Sequence, residues 1–192
     1  SVLDRVVYML GHRPRFLGRM MGRADHFFPL FEAALDRHDL PLELKYLPVL
    51  ESGLNPLARS GAGATGLWQF MYATARSQDL VINSWVDERR DPAASTEAAC
   101  RFLGRLVEMY DGDWHLALAA YNAGPGNVNK WLRANGDPRT GAVDWVTWGE
   151  RIPIYETKNY VQRVLENAVV YEHLYPQKAR FGTPRKLSGY LQ

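Results

Sequence analysis

The carboxylate best placed for acid chemistry in this chain is Glu51. It closes the apolar run Tyr46-Leu47-Pro48-Val49-Leu50 and is followed by Ser52-Gly53-Leu54. Pro48 disturbs the helix just before it. A carboxyl flanked by Val49, Leu50 and Leu54 is partly desolvated, and desolvation favours the protonated form. A carboxyl that holds its proton near neutral pH is what a general acid at a glycosidic oxygen requires. The other reading of Glu51 is an exposed glutamate near a helix end, and the residue alone does not decide between them.

Two further groupings bear on that choice. Gln69 lies within Gly66-Leu67-Trp68-Gln69-Phe70-Met71, where a lone amide among bulky apolar side chains needs a partner. Within Ala119 to Gly126, Tyr121 and Asn122 stand at the end of an almost wholly apolar helix, Trp114 to Ala123. Aromatic faces pack on the C–H face of a pyranose, and amides bind its hydroxyls and acetamides. Each grouping alone fits ordinary packing. Together they suggest a carbohydrate groove.

Other chemistries find less support. Gly61-Ala62-Gly63-Ala64-Thr65-Gly66 matches the dinucleotide fingerprint, with Asp87 beyond it in the place of a ribose-binding acid. A strand should precede its first glycine, but Gly53-Leu54-Asn55-Pro56 reads as loop. The glycines instead let the backbone pass close to something and cap a helix starting at Leu67. No nucleotide and no other cofactor is therefore expected. The histidines, at 12, 26, 38, 115 and 173, never stand three or four apart, so no helix face offers two metal ligands. Cys100 reads as inert core. Ser52 and Ser60 lack the setting of a nucleophile elbow.

The elements that must hold these residues read as helices. Phe27, Phe28, Phe31, Ala34, Leu35 and His38 form one stripe, with Asp25 as its cap. Leu42 to Ser52 is a second helix, entered through Pro41. Ala98 to Tyr110 is strongly amphipathic, and Asp91-Pro92 is a good start signal ahead of it. Trp114 to Ala123 is apolar nearly all round and should be buried. Gly124-Pro125-Gly126 ends that helix and opens another. A last helix runs from about Glu156 to Leu174, stopped by Pro176, with Tyr160, Val161, Val164, Leu165, Ala168 and Tyr171 on its stripe. Val81-Ile82-Asn83 is the one extended piece, without a convincing partner. The expectation is an all-α domain.

Composition agrees with a globular helical protein. The chain has 192 residues, 46% of them apolar and 12% aromatic, which excludes a disordered chain. One cysteine closes no intrachain bridge. No apolar run approaches the roughly 18 residues that span a bilayer. A net charge of +2 is too mild for a nucleic-acid partner. Arg13, Arg15, Arg19 and Arg23 make the N-terminal region locally basic. They read either as a solvated helix face or as attraction for an anionic polymer. The chain starts at Ser1 without a basic-then-apolar leader, so its compartment is not read from a signal.

Four ordered segments carry a resemblance. Glu51-Ser52, then Gly63 to Met71, then Ala120-Tyr121-Asn122-Ala123-Gly124, then Glu156 to Val161 resemble the motifs of bacterial lytic transglycosylases, over roughly Leu40 to Leu174. Residues 1–39 resemble the lead-in helices of the membrane-bound D-type members, and Arg151 to Asn167 is more similar to the soluble ones. The resemblance implies a lysozyme-like catalytic domain over 40–176, with a tail at 177–192, acting as a monomer on peptidoglycan glycan strands in the bacterial envelope or periplasm. Any membrane attachment would lie outside this stretch. It implies Glu51 as the one catalytic acid, then base, cleaving between N-acetylmuramic acid and N-acetylglucosamine to leave a 1,6-anhydro end. It also implies that Ser52 supports Glu51 and that Ser60, Gly66, Gln69, Tyr121, Asn122 and Tyr160 line the substrate site. A hydrolysing lysozyme is the rival. It needs a second carboxylate, for which Asp87, Glu88 and Asp91 are nearest in sequence, Asp91 being better explained as a cap. A non-catalytic peptidoglycan-binding module is the other.

Overall fold

The computed structural model describes residues 14–174, with side chains at Arg15 and over residues 18–164. Secondary structure there is helical. The β-type pairings among the described residues are isolated bridges, at Arg59–Thr65, Thr65–Phe70 and Ile82–Asp87. Two compact units are distinguishable, one of residues 14–37 and 47–99, the other of residues 38–46 and 100–174.

The first unit opens with α1, Pro14–Arg37. Proline is tolerated in a first helical turn because no intrahelical partner is lost there. The helix thus begins well before Asp25, which lies inside it rather than capping it. Phe27, Phe31, Ala34 and Leu35 are buried as the stripe requires. Phe31 stacks on Phe27 and meets the edge of Trp68, ring centres 5.4 Å apart. Next in this unit come α2, Leu47–Ser52, and α3, Tyr72–Ser77. The expected helix at 42–52 divides, because Leu42–Tyr46 is a 3-10 segment. The expected helix from Leu67 is a turn instead. Thr65 and Phe70 exchange both backbone bonds at 3.1 Å, which closes the chain on itself before α3 can start.

Val81 to Glu88 does find a partner, in its own returning chain. Asn83 Oδ1 accepts from the Trp85 and Val86 amides, both at 2.8 Å, and Glu88 donates its amide to the Val81 carbonyl. An Asx turn of this kind makes pairing possible without neighbouring strands. A 3-10 turn, Glu88–Arg90, leads to α4, Pro92–Met109. Asp91 caps α4 as expected, accepting from the Ala94 amide at 2.7 Å. Residues 92–99 of α4 belong to the first unit and 100–109 to the second. Cys100 is buried and unbridged.

The core of the second unit is α5, Trp114–Ala123, buried from His115 to Ala120. Asp113 caps it through the Leu116 amide at 2.9 Å. Gly124, at φ +85°, turns the chain into α6, Pro125–Asn135. A short α7, Trp145–Glu150, has Asp144 as its cap. Helix α8, Tyr155–Leu174, packs on α5 and on the 3-10 segment Leu42–Tyr46. Tyr160, Val161 and Val164 are buried on it. The side chains of Leu165, Ala168 and Tyr171, and the stop at Pro176, lie outside the described residues.

His115 sits in this core with its ring stacked on Trp145, centres 4.6 Å apart. Its Nε2 is buried without a hydrogen-bond partner among the described residues. Burial pushes its pKa from 6.5 down to about 4. The unfolded chain therefore takes up a proton at a higher pH than the folded one. The contribution of His115 is intact above pH 6.5 and is lost as pH falls toward 4, by about 3 kcal/mol in all. Burial pushes the neighbouring Asp113 carboxyl upward, which acts in the opposite sense. Urea unfolding at pH 7 and pH 4.5, parent against His115→Phe, isolates the histidine. The variant should lose distinctly less stability on acidification, and parallel losses would remove His115 as the cause.

Candidate active site

In the first unit Glu51 is half-buried in the last turn of α2. Ser52 Oγ lies 2.9 Å from the carbonyl oxygens of both Pro48 and Leu67 and shares its one proton between them. The serine ties the end of α2, and hence Glu51, to the start of the Leu67–Gln69 turn. That turn is held in three further ways. Gly66 donates its amide to Ala58 O at 2.9 Å. Gln69, at φ +50°, donates its side-chain amide to Gly66 O at 2.9 Å, which supplies the partner its setting demands. Trp68 is buried, with Nε1 donating to Thr96 Oγ1 at 3.0 Å, so its ring is core rather than a wall for sugar. Ser60 is exposed, and its hydroxyl accepts from the Ala64 amide at 3.0 Å.

Arg89 was not among the candidate site residues. It is buried, and one guanidinium nitrogen donates to Gly63 O at 3.2 Å and Phe70 O at 3.3 Å. Two further nitrogens fork onto Asp87, at 2.9 and 2.7 Å. The hydrogen bond from Arg89 holds the Asp87 carboxyl below its usual range. Gly66 also passes against Arg89. A β-carbon there would stand 1.7 Å from the Arg89 carbonyl oxygen. The close approach expected of the glycine loop is thus to the chain's own backbone. The signal for this brace was the Asp87-x-Arg89 spacing, in which a carboxylate two residues before an arginine can fix its guanidinium.

The second unit holds the other three residues. Tyr121 and Asn122 are half-buried in the last turn of α5, with Tyr121 against Phe102. Asn122 Oδ1 accepts from Thr157 Oγ1 at 2.6 Å, which links α5 to α8. Thr157 is fully buried and stands three residues, nearly one turn, before Tyr160. It lies inside the fourth motif but was not singled out, because nothing in the sequence pairs it with Asn122. Among the described residues no group of histidine, cysteine and acidic side chains could hold a metal ion.

Comparison with known proteins supplies the decisive observation: the family described as transglycosylase SLT domain matches residues 28–142. The chain belongs to the SLT transglycosylase family. Membrane-bound lytic murein transglycosylase D of Escherichia coli K12 is 40% identical over 143 residues, 74% of this chain and 31% of that protein. Soluble lytic murein transglycosylase of Salmonella typhimurium is 35% identical over 133 residues, 67% of this chain and 20% of that protein. An inactive mutant of lytic transglycosylase Slt from Pseudomonas aeruginosa matches in structure with a TM-score of 0.65 at 29% identity. That match covers 83% of this chain and 25% of the other. The chain spans less than a third of the length of these relatives. Its fold is the all-α, lysozyme-like helical domain of the SLT family.

Proposed function

We propose that this chain is a peptidoglycan lytic transglycosylase acting in the bacterial envelope, with residues 40–176 as the catalytic stretch and Glu51 as acid and then base. Glu51 protonates the glycosidic oxygen between N-acetylmuramic acid and N-acetylglucosamine, and the bond to the anomeric carbon breaks. The carboxylate so formed removes the proton of the muramoyl 6-hydroxyl. That oxygen closes on the anomeric carbon and gives a 1,6-anhydro end, without adding water. Ser52 and the Leu67–Gln69 turn position the acid. Ser60, Gly66, Gln69, Tyr121, Asn122 and Tyr160 are assigned to the substrate groove. The Pseudomonas relative is inactive with glutamine in place of a glutamate, which supports giving the chemistry to a glutamate here.

The observation that favours transglycosylation over hydrolysis concerns the carboxylates a lysozyme would need. Asp87 is locked to Arg89 as an anion. Glu88 accepts from the Val81 amide at 2.6 Å. Asp91 is spent on the cap of α4. Each of the three nearest rivals has a structural task, whereas a hydrolase needs one to act as nucleophile or base. Mass spectrometry of products from purified peptidoglycan tests the reading. Muropeptides lighter by one water than the hydrolysed form are expected. Water-added products would move the chain to the lysozymes, and intact glycan strands with tight binding would make it a binding module.

A further inference from the structure

One buried hydrogen bond in the second unit decides which way an amide faces. Thr157 is the third residue of α8. Tyr160, Val161 and Val164 follow it at spacings of three, four and seven, so Thr157 heads the buried stripe of that helix. A threonine in such a stripe buries a hydroxyl that needs a partner. Helix α8 packs on α5, and the last turn of α5 supplies one: Thr157 Oγ1 donates to Asn122 Oδ1 at 2.6 Å. The reverse orientation of the amide would set its NH2 group against the hydroxyl oxygen. The hydroxyl proton would then have no acceptor in a fully buried place. The threonine thus selects one of two amide orientations that have the same shape. Asn122 itself is only half-buried, and among the described residues its Nδ2 donates to no protein group.

We propose that Thr157 is a positioning residue that sets the polarity of the substrate groove at Asn122, so that glycan offering an acetamide carbonyl is preferred over glycan offering an amine. The inference deepens the function proposed above and rests on its assignment of Asn122 to the groove. Thr157 is fully buried and acts only through Asn122. An amide free to turn meets an acceptor or a donor equally well. With Oδ1 held by Thr157, the group left for a ligand is Nδ2, which only donates. Both sugars of peptidoglycan carry an acetamide, whose carbonyl oxygen accepts. A de-N-acetylated sugar carries an ammonium at the same carbon, which only donates and sets its positive charge against the amide hydrogens.

Binding of two tetrasaccharides to the full chain tests this without reading cleavage: one of N-acetylglucosamine, the other its de-N-acetylated counterpart. Calorimetry gives the ratio of their affinities, and the side-chain NH2 signal of Asn122 gives the contact. The parent should prefer the acetylated tetramer, with the Asn122 signal moving as it binds. Thr157→Val keeps the size and deletes the hydroxyl, so the preference should shrink about three- to tenfold, the scale of one hydrogen bond. Thr157→Ser should restore most of it. Asn122→Asp keeps an oxygen for Thr157 and puts another in place of Nδ2, so the preference should turn toward the amine. A threonine that merely packs would lower the melting temperature or weaken both tetramers alike. An unchanged ratio in Thr157→Val therefore overturns the proposal. Should Thr157→Val fail to fold, a parent Asn122 signal unmoved by the acetylated tetramer, or a preference that Asn122→Asp leaves as it was, overturns it. A parent that binds neither tetramer removes the groove assignment along with the proposal. Absent anhydro products from a parent that discriminates between the two remove the enzymatic reading alone.

Discussion

Glu51→Gln is expected to lose nearly all cleavage of peptidoglycan while still folding and still binding the polymer. Glutamine preserves the size of the side chain and the packing at the end of α2, and removes the transferable proton. General acid catalysis alone is worth about 10²- to 10⁴-fold. In the proposed mechanism the same group acts twice, first giving a proton to the leaving oxygen and then taking one from the 6-hydroxyl. No second carboxylate from the stretch 87–91 is placed to take over, since Asp87, Glu88 and Asp91 are held by Arg89 and by backbone amides. The loss should therefore reach the upper end of that range. Release of anhydro muropeptides measures it, with co-sedimentation on sacculi and a thermal melt as controls. Turnover near the parent rate, from a variant that melts with the parent, would take the chemistry away from Glu51.

The largest effect on stability is expected from Gly66→Ala. The new methyl carbon would lie 1.7 Å from the Arg89 carbonyl oxygen and 2.7 Å from its carbon. Both are backbone atoms, so no rotamer change relieves the overlap. Gly66 also has φ +86°, which L side chains rarely adopt. Strain of this kind costs about 1–3 kcal/mol, and overpacking against a fixed neighbour adds a similar amount. A total of about 2–6 kcal/mol is a large part of the 5–15 kcal/mol that holds a typical domain together. Gly63→Ala is the matched control. Its φ is +91°, but a β-carbon there meets nothing within 4 Å, so the backbone strain alone remains. Urea midpoints should rank parent, then Gly63→Ala, then Gly66→Ala by a wide margin. Equal midpoints for the two variants would mean that the approach to Arg89 costs nothing.

What the sequence revealed and what it hid follow from how far apart the interacting residues stand. The cap of α4 was legible because Asp91 and the Ala94 amide are three residues apart. The burial of α5 was legible because its own residues are apolar on every side. The turn at Leu67–Gln69 was not, since Leu67-Trp68-Gln69-Phe70 reads as the start of a helix. What overrides that propensity is the Thr65–Phe70 pairing, the positive φ of Gln69, and a guanidinium 19 residues further on that holds the Phe70 carbonyl. Helix α7 went unnoticed because six residues show little periodicity, although Asp144 was a legible cap. In the candidate site the motif residues were legible as types. The partners that orient them were not. Ser52 meets Leu67 and Asn122 meets Thr157 through the fold, 15 and 35 residues apart.

Arg59 is exposed in the loop between α2 and the Leu67–Gln69 turn, where an arginine would ordinarily invite trypsin. A protease must draw several residues of substrate into an extended form, and this loop is already bonded to itself. Ser60 donates to Ala64 O at 2.9 Å, Gly66 donates to Ala58 O at 2.9 Å, and Arg89 holds Gly63 from behind. The peptide bond after Arg59 is open to water yet closed to an enzyme that needs it unfolded. Nicking at that bond then becomes a gauge of how often the Arg89 brace lets go.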